Sequence, residues 1–106
     1  MVGRMWRGSV RREQGDAYAA YMSETGLRGY ASTPGNLGAY MLRRDVEEHS
    51  EFVMVSLWES MDAVHAFAGD DPEIAVFYPE DDAFLVDRDL HATHWTVTDA
   101  ASVAGP

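Results

Sequence analysis

Three polar side chains in this sequence are of types that take part in acid–base or anion chemistry. His94 is the candidate general base, because an ordinary histidine pKa of about 6.5 suits proton transfer near neutral pH. Asn36 could hydrogen-bond a carbonyl or peroxide oxygen, and Arg4 could neutralise an enolate. Each also has a structural alternative: a partly exposed strand histidine, the asparagine of a Pro-Gly-Asn turn, and an arginine at a dimer rim.

Trp58 stands where a strand-like run gives way to a helix. Residues 52–58 are rich in branched and aromatic side chains, and Ser60 can cap a helix over 61–68 that Gly69 would end. An indole at this junction is either a core side chain or the wall of a pocket, and a catalytic part for it is a further possibility.

Aromatic and methionine side chains are numerous enough to line a cavity between helices and sheet. Three tryptophans, five tyrosines and six methionines would suit a flat apolar ligand. The expected substrate-binding residues are Arg4, Trp6, Tyr18, Met22, Phe67 and Tyr78.

The sequence lacks the residues or motifs that several other kinds of catalytic, nucleotide-binding and metal site require. Without cysteine there are no disulfides, thiolate metal sites or cysteine nucleophiles, and no GxSxG, GxGxxG or Walker pattern is present. His91 and His94 would point to opposite faces of a strand, while His49 and His65 have no partner ligand at helical spacing. We therefore expect neither a metal site nor a bound cofactor.

The charge of the chain limits its partners. Eighteen acidic and eight basic residues give a net charge of -10, which would repel nucleic acid and an anionic membrane surface. No apolar run reaches the roughly 18 residues of a membrane span, and no signal peptide is visible. These features predict a cytoplasmic protein that binds neither nucleic acid nor membrane.

The order of elements predicts the fold class. Strands are expected over 4–10, 37–44, 51–58 and 89–98, and helices over 13–25 and 61–68. Gly26 and Gly29 would end the first helix, and 73–77 would add a helical turn. This is the α+β, ferredoxin-like βαββαβ order with a four-stranded antiparallel sheet, forming one domain over 1–99 before a flexible tail over 100–106.

One face of such a sheet is left without helices. Both faces carry large apolar side chains, more than one helical layer covers, so a second copy pressed sheet to sheet would bury the surplus. We expect a homodimer.

A family resemblance rests on four segments: Thr-Pro-Gly-Asn-Leu-Gly-Ala-Tyr at 33–40, Leu-Trp-Glu-Ser at 57–60, Phe67, and Val-Phe-Tyr at 76–78. In these the chain resembles the antibiotic biosynthesis monooxygenase-like proteins of the dimeric α/β barrel superfamily. The resemblance implies a cofactor-independent monooxygenase of an aromatic, polyketide- or quinone-like small molecule. The alternative that it leaves open is a non-catalytic small-molecule-binding or stress-related protein of the same fold.

Haem-degrading relatives give a third interpretation, which fits less well. Similarity to them implies a tryptophan at the place of Trp58, an asparagine on the first strand and a histidine after the second helix. Here the first strand offers Trp6 or Arg7, and the later segment offers Tyr78. A haem iron would then lack its axial histidine and need another ligand such as tyrosine.

Overall fold

A computed structural model describes residues 1–101, which form five strands and four α-helices. The strands are β1 (Val2–Arg11), β2 (Asn36–Val46), β3 (His49–Trp58), β4 (Leu85–Arg88) and β5 (Thr93–Thr96). The helices are α1 (Gly15–Glu24), α2 (Gly26–Ser32), α3 (Met61–Ala68) and α4 (Asp81–Phe84), with a 3-10 turn at Arg12–Gln14.

The sheet is antiparallel, in the order β2-β3-β1-β4, and β5 also pairs with β1. The α+β class and the ferredoxin-like arrangement are confirmed. The predicted single fourth strand over 89–98 is two strands instead, which makes the sheet five-stranded. β4 lies beside residues 8–10 of β1 and β5 beside residues 2–5, because residues 89–92 leave the ladder and His91 pairs with Ile74.

Alternation along the strands separates a helix-covered face from an open face. On β3, Phe52, Met54 and Trp58 are buried against the helices, while Val53 and Val55 point to the other side and are only partly covered. On β1, Arg4 and Trp6 lie on the same face, and both are buried on the helix side.

The first helical region is longer than predicted. The helix predicted over 13–25 is α1, which ends at Glu24, just before Gly26; the helix that follows, α2 from Gly26 to Ser32, was not predicted. The backbone hydrogen bonds continue through the junction, from Thr25 N to Tyr21 O (3.0 Å) and from Gly29 N to Thr25 O (2.9 Å). Buried Tyr30 then anchors the second segment in the core.

Helix α3 agrees with its sequence signals. It spans Met61–Ala68, the Ser60 hydroxyl accepts a hydrogen bond from Ala63 N at 3.3 Å, and Gly69 follows with a positive φ of 88°. These local interactions fix the direction in which the chain leaves β3 and so the position of the α3 side chains over the sheet.

The segment after α3 differs from prediction. Residues 73–77 contain no helical turn, because Ala75 N donates to Leu90 O (3.0 Å) and Ala92 N to Glu73 O (2.8 Å), so the backbone is paired with the chain before β5. The short helix α4 was not predicted. In residues 1–101 none of the helices combines the length and apolar composition needed to cross a bilayer. Residues 102–106 of the predicted tail lie outside the described residues, and the 1–99 domain boundary stays a prediction.

Candidate functional site

Arg4 lies buried on the helix side of β1, with 3% of its surface exposed. Its guanidinium donates from Nη1 to Pro72 O (3.3 Å) and from Nη2 to Ile74 O (3.4 Å), two carbonyls of the segment after α3. Burial lowers the pKa of this side chain, but an arginine stays protonated at neutral pH. A positive charge is thus fixed inside the protein.

Three aromatic rings pack beside this charge. The ring centroids of Tyr30 and Phe67 are 4.6 Å apart, those of Trp58 and Phe67 5.5 Å, and those of Tyr30 and Trp58 6.1 Å. Arg4 Cζ lies 5.6 Å from the centre of the Phe67 ring, in a cation–π arrangement. The rings occupy the space between sheet and helices at this end, where the sequence predicted a lined cavity.

The position of Trp58 is fixed by its own strand. Its indole N–H donates to the Ser56 hydroxyl at 2.9 Å, and both residues are buried on the helix face of β3. A buried indole N–H needs such a partner, so Ser56 sets the tilt of the ring toward Phe67.

His94 sits directly opposite Arg4 in the β1–β5 ladder and therefore on the same face of the sheet. Its Nε2 is buried and, within the described residues, has no hydrogen-bond partner. Burial and then the Arg4 charge lower the pKa of His94 below 6.5, against a smaller opposite effect of Glu73. The lowered pKa favours the neutral imidazole at pH 7, whose Nε2 is without a hydrogen-bond partner in the described part of the chain.

Tyr78 completes the group from the other side. Its hydroxyl lies so close to α2 that a Cβ on Gly29 would come within 2.6 Å of it and 3.4 Å of Phe67 Cε1. Burial raises the pKa of Tyr78, as it raises that of Tyr30 to about 12, so both phenols are neutral donors. We call Arg4, Tyr30, Trp58, Phe67, Tyr78 and His94 the Arg4 cluster.

Asn36 lies next to Trp58 in the β2–β3 register but uses its amide for the backbone. Its Nδ2 donates to Leu57 O at 3.2 Å and to Gly38 O at 3.4 Å, across the irregular start of β2. These two hydrogen bonds give Asn36 a structural role at the start of β2. Its part in catalysis stays a prediction.

Three predicted substrate-binding residues lie outside the Arg4 cluster. Tyr18 packs on Phe52 with ring centroids 5.1 Å apart and donates its hydroxyl to the buried Asp81 carboxylate at 3.1 Å. Trp6 packs edge-on to a neighbouring ring and donates its indole N–H to Asp89 O at 2.7 Å. Met22 is buried next to Gly26. Contact of these three with a ligand stays a prediction.

Sequence reasoning missed two buried polar residues, Tyr30 and Asp81. Tyr30 continues the buried series of Tyr18, Met22 and Gly26 at intervals of four, a signal that was available once the glycines were not treated as breakers. Asp81 had no such signal, because a carboxylate in an acidic loop is normally solvated.

The main surface concavities of residues 1–101 lie away from the Arg4 cluster and are lined by none of its residues. The largest described one, about 640 Å³, lies at the opposite end of the sheet by the β2–β3 hairpin and is lined by side chains of both charge signs. Its lining residues are Arg11, Arg12, Glu13, Glu47, Glu48, His49 and Val86. Within residues 1–101, no three histidine, cysteine or carboxylate residues converge as a metal site requires.

Comparison with known proteins decides the family. Residues 1–72, more than half of the chain, match the model of the antibiotic biosynthesis monooxygenase family. The chain belongs to that family. The matched region contains Arg4, Trp58 and Phe67, whereas Tyr78 and His94 come from the segment beyond it.

Solved structures share the fold of this family member at low sequence identity. A candidate antibiotic biosynthesis monooxygenase from Bacillus cereus is 14% identical, with 96% of this chain and 97% of that chain covered and a TM-score of 0.67. One from Deinococcus radiodurans is 15% identical, with 99% and 100% covered and a TM-score of 0.68. A mutant of MhuD with two manganese protoporphyrin IX molecules per active site is 18% identical, with 97% and 100% covered and a TM-score of 0.68. No curated protein sequence matches the chain significantly.

Proposed function

We propose that the chain is a cofactor-independent monooxygenase of an aromatic small molecule, of the polyketide or quinone-like class, acting at the Arg4 cluster. The observation that carries the proposal is the unpartnered, buried Nε2 of His94 directly opposite a buried arginine. This pairing sets a neutral base beside a fixed positive charge, which is what the deprotonation of a weak carbon or phenol acid requires.

The proposed reaction converts a ring methylene to a ketone. His94 accepts a proton from the methylene of an anthrone-like substrate, and the Arg4 charge stabilises the anion that forms. The anion passes electrons to O₂, a C–O bond forms, and protonation gives a hydroperoxide. Loss of the remaining hydrogen as a proton breaks the O–O bond. The sum is R₂CH₂ + O₂ → R₂C=O + H₂O, and the substrate supplies all four electrons.

The aromatic side chains serve binding rather than proton transfer. Trp58, Phe67 and Tyr30 offer ring faces and edges within about 6 Å of one another, and a flat substrate would stack by displacing or joining them. A substrate enclosed by these rings would also be kept from water, which protects the carbanion.

A direct assay tests the catalytic part. Metal-stripped protein is incubated with an anthrone and oxygen, and the ketone and the oxygen consumed are measured. We expect acceleration over buffer that is lost in His94→Ala but kept in His91→Ala, where an exposed histidine three residues away is removed. No acceleration with several anthrones and phenols would contradict the proposal. A ligand affinity that merely shifts in His94→Ala, with no turnover in the parent, would favour the non-catalytic binder.

Haem binding is the second candidate, favoured by the bound porphyrins of the MhuD structure. Haemin titration of the protein separates the two. We expect no Soret shift that saturates at one equivalent. A saturating shift that disappears in Tyr78→Phe or His65→Ala would replace the oxygenase proposal with a haem function.

A homodimer forms part of the proposed function, through the face of the sheet that carries no helices. This open face contains seven large apolar side chains that alternate with the buried ones along their strands. They are Met5, Tyr40, Leu42, Val53, Val55, Leu57 and Trp95. A monomer would expose several of them to water, and a second copy would cover them.

A further inference from the structure

We propose that the natural ligand of the Arg4 cluster carries a permanent negative charge, a carboxylate attached to its aromatic system, which pairs with the Arg4 guanidinium. That the ligand is aromatic rests on the proposed function. It goes beyond a transient enolate, because the charge would be present before any reaction begins.

The first argument is the missing counter-ion. Within the described residues no carboxylate oxygen lies within 4.0 Å of an Arg4 nitrogen, although acidic residues outnumber basic ones by eighteen to eight. Arg7, three residues along the same strand and on the other face, contacts Glu51 at 2.8 Å and Asp87 at 3.0 Å. The more exposed arginine is paired and the buried one is not.

The energetic argument concerns the resting protein. An arginine with 3% of its surface exposed has lost most of its hydration, and a buried charge without a counter-ion is strongly destabilising. An enolate that exists only during turnover does not offset this cost between turnovers. A ligand carboxylate offsets the desolvation cost of Arg4 for as long as it is bound. The unpaired guanidinium therefore contributes to the affinity for anions.

The hydrogen bonds of Arg4 leave room for such a partner. A guanidinium has five N–H groups, and those of Arg4 reach only Pro72 O and Ile74 O within the described residues, at 3.3 and 3.4 Å. These distances are at the long end of the usual range. A carboxylate accepts two parallel N–H bonds from the same fork at shorter distances, and can displace the loop carbonyls.

The surroundings select for an aromatic carboxylate over other anions. Phe67 covers one side of the guanidinium at 5.6 Å, and Tyr30 and Trp58 extend the apolar surface away from it. Trp58 and Tyr30 are themselves buried, so a ligand that reaches the guanidinium must displace a ring and replace its apolar contacts, which a small inorganic anion cannot do. The net charge of -10 repels anions in general, so the stacking contact is needed to retain one.

Calorimetric titration with two isosteric probes tests the inference without turnover. Anthracene-2-carboxylate and anthracene-2-carboxamide have the same rings and nearly the same shape, and neither has a methylene to oxidise. We expect the carboxylate to bind at least about tenfold more tightly, which corresponds to about 1.4 kcal/mol. Arg4→Gln should reduce the ratio to about one. Arg7→Gln removes the same charge from the opposite face and should leave the ratio unchanged.

Each contrary result is decisive. Equal affinities in the parent protein, or no saturable binding of either probe, overturn the inference without any variant. If Arg4→Gln does not fold, Arg4→Lys keeps the charge without the planar fork and should keep a reduced preference for the carboxylate. A preference as strong as the parent's would contradict the two parallel N–H bonds, and no preference in a folded Arg4→Lys would contradict the charge pairing. The oxygenase assay is independent: a protein that prefers the carboxylate and shows no turnover upholds this inference and contradicts the proposed function.

Discussion

His94 and Arg4 face one another across the β1–β5 ladder, on the helix side of the sheet. The chain thus places its one buried, unpartnered ring nitrogen beside a buried cation that lacks a carboxylate partner within the described residues. Two like-charged groups would repel, so the neighbouring charge favours the neutral imidazole. A base that is neutral at physiological pH follows from this geometry.

The first prediction concerns the pH dependence of turnover. Burial and Arg4 lower the pKa of His94, so kcat/KM for an anthrone should rise with an inflection below pH 6.5 and level off above it. His94→Ala should lower kcat/KM by about 10²–10⁴-fold and remove the inflection. A pH–rate profile of both proteins, with His91→Ala as the control, measures this. An inflection that persists in His94→Ala would assign the base to another group.

The same pKa shift has a consequence for stability. Because the folded chain holds this proton more weakly than the unfolded chain, the unfolded state binds more protons between the two pKa values. The contribution of neutral His94 to stability is therefore complete above about pH 6.5 and is lost as the pH falls through the folded-state value. His94→Gln should flatten this part of the urea-unfolding profile.

The second prediction uses Gly29 to separate stability from binding. Its missing Cβ leaves room for the Tyr78 hydroxyl, which would lie only 2.6 Å from an added methyl group. The tyrosine ring is the end of a flexible side chain and can swing away, and alanine is the better helix former by about 1 kcal/mol. Gly29→Ala should therefore keep the free energy of unfolding within about 1 kcal/mol of the parent and still weaken anthracene-2-carboxylate binding. Unchanged affinity in a well-folded variant would place Tyr78 outside the site.

The third prediction contrasts Gly35 with Gly69. Both have a φ of 88°, but a Cβ on Gly35 would meet Ala63 Cβ at 2.5 Å, whereas nothing lies within 4 Å at Gly69. Gly69 has a ψ of -163°, a backbone conformation that is almost exclusive to glycine, so Gly69→Ala should cost only this backbone strain, about 1–3 kcal/mol. Gly35→Ala should cost about 1–3 kcal/mol more, because α3 is pushed off the end of β3. Urea unfolding of both variants gives the difference, and equal losses would contradict the contact with Ala63.

The fourth prediction concerns the buried pair of Tyr18 and Asp81. The carboxylate accepts from the Tyr18 hydroxyl at 3.1 Å and from Tyr78 N at 2.6 Å, and burial raises the pKa of Tyr18 so that it remains a donor. Tyr18→Phe leaves one carboxylate oxygen without that donor and should cost about 1–3 kcal/mol of unfolding free energy. Ser23→Ala, which removes an exposed hydroxyl from the same helix, should change it by no more than about 0.5 kcal/mol. Equal effects would show that the hydrogen bond contributes little.

The junction between β3 and α3 could be predicted because independent local signals agree there. Branched and aromatic residues favour the strand, Ser60 supplies the cap, and Gly69 ends the helix. Helix α2 could not be predicted in this way, since Gly26 and Gly29 have low helix propensity. Their presence is explained by close contacts with Met22 and Tyr78, which appear only once the chain is folded.

The candidate site was predictable by residue type and not by arrangement. Arg4 and His94 are each suited to anion and proton chemistry, but ninety residues separate them, and only the strand register makes them neighbours. Tyr18 was predicted for the site from its helical stripe, and it instead packs toward Phe52 because α1 lies over the other end of the sheet. Periodicity gives the face of a residue, and register gives its position along that face.

The last prediction is the dimer. On the open face, Tyr40 and Trp95 are each 60% exposed, and apolar area is worth about 25 cal/mol per Å² when it is removed from water. On that face Glu51 contacts Arg7 at 2.8 Å and Arg44 at 2.6 Å. Burying the face would therefore leave none of these three charges without a partner. Sedimentation equilibrium at micromolar concentration should give about twice the 11.8 kDa chain mass.

Trp95→Glu should give a folded monomer, because it buries an unpaired carboxylate at the interface. Leu90→Glu, 62% exposed but outside the sheet, should remain a dimer, and a parent protein that is a folded monomer would refute the covered open face.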